Sequence, residues 1–177
     1  MDRGTGRFTK LWEKERGKSM DESNQIYENN SPEELAAILQ KRIKGTFSDL
    51  MGMKILECRK GYCLSEFAIK PEYLNPLGSV HGGCLFTIAD TTAGTASIIL
   101  GSDSTVTTID GNMQFLNPVL DCDAVFAEAN VIKSGKRIVY TDVVIKAGEG
   151  RIFAKGSFTF ARIVLPHVVM PEVEVQK

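Results

Sequence analysis

The sequence is poor in what would tie it to a membrane, an export route or a metal. No apolar run is long and clean enough to span a bilayer, because Asp90 and several threonines interrupt the best candidate. The first residues are charged where an export signal would have an apolar core. Cys58, Cys63, Cys84 and Cys122 form no CxxC pair and share no histidine-containing ligand set. Scattered thiols without an export signal point to a reducing cytoplasm, and no metal is expected. Charge excess is missing too. A formal net charge of −1 gives no general reason to expect nucleic acid or an anionic membrane as partner. There is no internal repeat and no low-complexity tract.

What is present suffices for one soluble domain: 177 residues, 43% of them hydrophobic. The chain is organised around the stretch from Asn75 to Leu100. Asn75-Pro76 and Gly78 mark a turn. From Gly82 onward Leu85, Ile88, Ala89, Thr92, Ala96 and Ile99 recur at helical spacing, and Phe86, Ala93 and Ile98 widen the apolar stripe beyond one face. Such a helix calls for other structure wrapped around it. Between Glu72 and Asp103 the one fully charged residue is Asp90. A lone carboxylate in that setting is costly unless it is used.

Helical geometry adds a constraint. His81 and Asp90 are nine positions apart, which puts them on opposite sides of a helix and about 13 Å apart along its axis. One copy cannot readily bring Asp90 to the Gly82 end. Two antiparallel copies can, so the spacing hints at a site shared between subunits.

Along the chain, residues 1–30 read as a charged arm in which Phe8, Leu11 and Trp12 could pin a short helical turn. A helix begins after Ser31, with Pro32 at its first position and Glu34 completing a capping box. Leu35, Ile38, Leu39, Ile43, Phe47 and Leu50 form its stripe, and Gly52 is expected to end it. Met53 to Arg59 and Tyr62 to Lys70 read as a hairpin across Lys60-Gly61. Four strands follow the central helix: Thr105 to Leu116, Ala124 to Lys133, Arg137 to Lys146 and Arg151 to Ile163. Short glycine-bearing turns make the last three an antiparallel meander. Residues 164–177 read as a terminal extension. One long helix against a curved antiparallel sheet of about six strands is an α+β plan.

The order Asn75, Gly78, His81-Gly82-Gly83, Phe86, Ala89-Asp90 resembles the phenylacetyl-CoA-thioesterase-like group of the hotdog-fold thioesterases. Phe47 to Gly52 and the segment Asp110-x-x-x-Gln114-Phe115-x-x-Pro118 are similar to that group as well, and the resemblance covers roughly residues 45–163. It implies hydrolysis of an acyl-CoA in a dimer or dimer of dimers, with coenzyme A as part of the substrate and no separate cofactor. It implies a catalytic carboxylate at Asp90, an oxyanion donor at the Gly82 N–H, helix-entry residues at Asn75 and His81, and a water-placing hydroxyl at Thr108. Gly83 would lie against the substrate in the same glycine pair.

The chemistry of these residue types agrees. Free N–H groups at a helix start can bind the oxygen charge that develops on a thioester carbonyl, and Gly82 has no side chain in the way. Asp90 can serve as a base toward water or as a nucleophile. His81 can orient the helix entry or move a proton, Asn75 can be a turn residue, and β-branching alone would explain Thr108. Lys133, Lys136 and Arg137 cluster at one hairpin, where they are either a solvated turn or a site for CoA phosphates. A non-catalytic acyl-CoA sensor on the same fold is the alternative, and the presence of Asp90 argues against it. A dehydratase on that fold would be favoured by a histidine base beside a second acid, a motif not found here.

Overall fold

A computed structural model describes residues 29–100 and 105–163. Apart from Asn29 and Asn30, the expected arm and the extension after Ile163 lie outside the described residues. Helix α1 spans Pro32–Ile43 and has the expected capping box: the Ser31 hydroxyl accepts the Glu34 N–H at 3.2 Å, and the Glu34 carboxylate accepts the Ser31 N–H at 2.7 Å. Leu35, Ala36 and Leu39 are buried. The helix does not run on to Gly52 as the stripe suggested. Gly45 takes φ +76°, a left-handed conformation that stops an α-helix cheaply only at glycine. Asp49 accepts the Gly45 N–H at 2.7 Å, and a separate short helix α2 (Phe47–Leu50) follows. Phe47 and Leu50 are therefore 61% and 70% exposed rather than packed below α1.

The strands are β1 (Met53–Arg59), β2 (Tyr62–Ala68), β3 (Thr105–Phe115), β4 (Ala124–Ser134), β5 (Ile138–Lys146) and β6 (Ile152–Ile163). They form one antiparallel sheet in the order β1-β2-β4-β5-β6-β3. Helix α3 (Gly82–Ile98) joins β2 to β3 and lies across one face of the sheet, packing on β4, β5, β3 and β2. The reason is legible in side-chain size. Ala127 and Ala129 on β4 are fully buried, as are Ala89, Ala93 and Ala96 on α3, so the two backbones approach closely. Val139, Val143 and Ile145 on β5 alternate inward and complete that wall with Phe67, Phe158 and Phe160. The polar groups drawn inside are paired. The Thr92 hydroxyl donates to the Ile88 carbonyl at 2.8 Å, and Ser97 and Thr141 share a hydrogen bond of 2.8 Å.

The two sheet edges differ. On the β1 edge, Gln40 of α1 acts as a one-residue strand: its Nε2 donates to the Met53 carbonyl at 3.0 Å and its Oε1 accepts the Ile55 N–H at 2.7 Å. The β3 edge has no strand beside it among the described residues, and its Ile109 side chain is 56% exposed.

Gly111 of β3 is required by packing. A Cβ there would fall 2.6 Å and 2.7 Å from the Phe158 ring and 2.9 Å from Phe86, in a T-shaped pair with centroids 5.3 Å apart. Gly111→Ala is expected to cost about 1–3 kcal/mol through overpacking. A denaturant melt showing no loss of stability would mean that these rings can yield.

Candidate active site

The entry of α3 is held by a short chain of hydrogen bonds. The Tyr73 carbonyl accepts the His81 N–H at 2.7 Å, and His81 Nδ1 accepts the Gly83 N–H at 2.9 Å, which makes the imidazole the helix cap. With Nδ1 as acceptor, a neutral His81 carries its proton on Nε2, facing outward as a donor. Gly83 makes room for this cap, since a Cβ would sit 3.0 Å from Nδ1. Its own N–H is occupied by His81, so space is what it can offer a substrate. The Cys84 N–H returns to the His81 carbonyl at 2.9 Å. The Gly82 N–H has no acceptor among the described residues.

Asn75 stands one loop upstream. Its Oδ1 accepts the N–H groups of Leu77 at 2.9 Å and Ser79 at 3.2 Å, and Gly78 takes φ +79°. The turn reading of Asn75 is thus seen directly, and the turn delivers the chain to His81. Cys84 is the nearest thiol to the helix entry in sequence. Burial pushes it up, which holds it in the unreactive protonated form.

Further along the helix, Asp90 is half-buried and accepts a hydrogen bond of 2.8 Å from the Thr108 hydroxyl of β3. A bulge makes this pairing possible. Thr108 faces Phe160 and Asp110 faces Thr159, so Ile109 is an extra residue in β3. Thr108 and Gly111 differ by an odd number and would lie on opposite faces of a regular strand. The bulge turns both toward α3, Thr108 to Asp90 and Gly111 to Phe86.

Phe115 closes the other end of the same strand. A Cβ on Gly82 would meet its ring at 3.3 Å, so Phe115 stands directly on the glycine. The structure therefore joins Asp90 with Thr108, and His81 with Gly82 and Gly83, in two groups. Gly82 and Asp90 are eight residues apart on one helix, about 12 Å along the axis.

Lys133, Lys136 and Arg137 are exposed at the β4–β5 turn. Arg162 clasps that turn, donating from Nε to the Gly135 carbonyl at 3.1 Å and from a terminal nitrogen to the Ser134 hydroxyl at 2.6 Å. The register puts the turn near the Asp90 end. Thr108 faces Phe160, which faces Val139, two residues beyond Arg137. Two strand spacings, about 10 Å, separate β5 from β3. Tyr73, Phe115, Arg162 and the bulge were missed from sequence. Phe115 alone had a signal, inside the Asp110-to-Pro118 segment.

Known proteins resemble this chain in both sequence and fold. The sequence model of the thioesterase superfamily matches residues 77–154, from the turn before His81 to the start of β6. A Caenorhabditis elegans protein is 27% identical over 107 residues, 60% of this chain and 63% of that one, just under two thirds of its length. Human acyl-coenzyme A thioesterase 13 is 24% identical over 115 residues, 64% of this chain and 82% of that one. Among solved structures, the PaaI protein of E. coli, from the phenylacetic acid degradation operon, superposes with a TM-score of 0.66 at 21% identity, covering 82% of this chain and 96% of that chain. The chain has the fold of the hotdog thioesterases, and its residues 77–154 match the thioesterase superfamily. The sequence expectation of a thioesterase is in keeping with these likenesses.

Proposed function

We propose that the protein hydrolyses acyl-CoA thioesters to a carboxylic acid and free CoA in sites built by two copies of the chain. The observation that carries this reading is the Thr108–Asp90 hydrogen bond on the same helix as a Gly82 N–H with no acceptor among the described residues. The Gly82 N–H binds the carbonyl oxygen. Thr108 engages one Asp90 oxygen and leaves the other for a water. That carboxylate takes a proton as the water oxygen bonds to the carbonyl carbon. The C–S bond then breaks, the tetrahedral oxygen returns its charge to the carbonyl, and the proton passes to the departing thiolate.

One chain cannot supply both groups to one carbonyl across about 12 Å. Pairing of two β3 edges, antiparallel and centred near Gly111, sets the helices side by side in opposite directions. Phe115 marks the Gly82 level of β3 and Thr108 marks the Asp90 level, so this symmetry brings each Asp90 to the partner's Gly82 end. On the β1 edge Gln40 already occupies the Met53 carbonyl and the Ile55 N–H, which leaves β3 as the open edge for this pairing. The kinship with an acyl-CoA thioesterase supports the substrate class.

Thiol release from a panel of short, medium, long and aromatic acyl-CoAs tests the activity. Binding without thiol release would favour the sensor reading, and a change in double-bond absorbance would favour a dehydratase. The β4–β5 turn is assigned to the CoA phosphates. Lys136→Ala and Arg137→Ala are expected to raise KM about fivefold each with kcat little changed, because contacts far from the carbonyl bind ground and transition states alike. An unchanged KM in both variants would reduce the turn to solvated surface.

A further inference from the structure

Phe115 is the aromatic residue at the helix entry whose position has no structural excuse. Its ring packs one face on Gly82, yet the side chain is 53% exposed. The backbone beyond it is fastened: Leu116 and Asn117 both donate to the Phe153 carbonyl, at 2.8 Å and 3.1 Å, and the Asn117 side chain donates to the Ile152 carbonyl at 2.9 Å. The ring is thus held where it gains little burial, against the Gly82 peptide, whose N–H has no acceptor among the described residues.

The surroundings indicate what the open face meets. Leu74, Leu77, Leu116 and Leu120 are exposed in the segments next to the helix entry and the end of β3, tied together by the Val80 N–H on the Val119 carbonyl at 3.2 Å. No full charge interrupts the chain from Tyr73 to Ala89. The cations assigned to the CoA phosphates, Lys133, Lys136 and Arg137, lie instead at the Asp90 level, at the β4–β5 turn. In the two-copy site this turn comes from the subunit that supplies Asp90, and Phe115 comes from the subunit that supplies Gly82. A thioester bound with its phosphates on the turn then points its acyl group toward Phe115.

We propose that Phe115 is the specificity-determining residue of the acyl subsite, its open face forming the wall for an uncharged, apolar acyl group of several carbons. This rests on the two-copy thioesterase reading above. A two-carbon acyl group ends before it can cover the ring, whereas a six-carbon chain or an arylacetyl group lies along it. Area on an apolar wall converts to discrimination of about tenfold per few carbons.

The experiment compares wild type, Phe115→Ala and Phe115→Leu on acetyl-CoA, hexanoyl-CoA and phenylacetyl-CoA by thiol release, with oligomeric state followed by size-exclusion chromatography. Phe115→Ala is expected to lose about tenfold in kcat/KM on the two larger substrates and less than about twofold on acetyl-CoA. Phe115→Leu should recover most of the hexanoyl activity and less of the phenylacetyl activity. An equal fall on all three would make the ring a support for the Gly82 peptide, and dissociation of the oligomer would make it an interface residue; either overturns the proposal. Thiol release by wild type from none of the three would instead overturn the catalytic reading, and the acyl subsite with it.

Discussion

Asp90→Asn is expected to fold normally and to lose about a hundredfold or more in kcat, the usual scale for removing an acid–base group. The substitution is nearly isosteric. The amide oxygen can still accept the Thr108 hydroxyl, so the bond of 2.8 Å that ties α3 to β3 has a replacement. What the amide cannot do is take a proton from water. Structure and chemistry therefore separate in this variant. Circular dichroism and a thermal melt close to wild type, together with collapsed thiol release, are the expected pair. Near-normal turnover by the folded variant would remove Asp90 from the mechanism and make the Thr108 bond a structural tie alone.

Mixing two inactive variants should restore activity. Gly82→Pro removes the N–H assigned to the carbonyl oxygen. Proline suits the first position of a helix, and His81 before it already has φ −64° and ψ 135°, an extended conformation that a following proline favours. The ring must displace Phe115 slightly, which a half-exposed side chain allows. Each variant alone should be inactive, since every one of its sites lacks either the donor or the carboxylate. A mixed dimer has one site with both lesions and one with neither. Random exchange between equal amounts should return about a quarter of the wild-type activity. Recovery requires proof of subunit exchange, for example by native mass spectrometry of differently tagged chains. Proven mixed oligomers without activity would place Gly82 and Asp90 in one chain's site and defeat the argument from helical spacing.

Much of the fold was legible because its boundaries are local. Lys60-Gly61, Ser134-Gly135-Lys136 and Gly148-Glu149-Gly150 punctuate the strands, and the observed β1, β2, β4, β5 and β6 depart from the expected ends by only a residue or two. The isolation of Asp90 was equally plain, because a charge is conspicuous in an apolar helix. The break at Gly45 was hidden by Phe47 and Leu50, which continue the apolar period although both side chains face solvent. The bulge at Ile109 was invisible for a different reason. It is a property of the register between β3 and β6, whose partners at the bulge, Thr108 with Phe160 and Asp110 with Thr159, are far apart in sequence, and nothing in the threonine-rich run marks which residue is extra. Thr108 could be named from resemblance, but its hold on Asp90 depends on that slip. Gln40 gave no warning either, since a glutamine on a helix reads as solvent-facing until a strand edge is set beside it.

The unequal edges of the sheet also limit how far the molecule can be extended. A sheet open on both sides can add copies without end, each new strand exposing another. Here the amide side chain of Gln40 occupies two outer backbone groups of β1, the Met53 carbonyl and the Ile55 N–H, and stands where another strand would have to pair. In edge-to-edge growth the described residues have a valence of one: joining two copies through β3 uses up both open rims and leaves the two that Gln40 blocks. Growth by strand pairing is thus self-terminating at the pair, and any larger assembly must form through faces rather than edges.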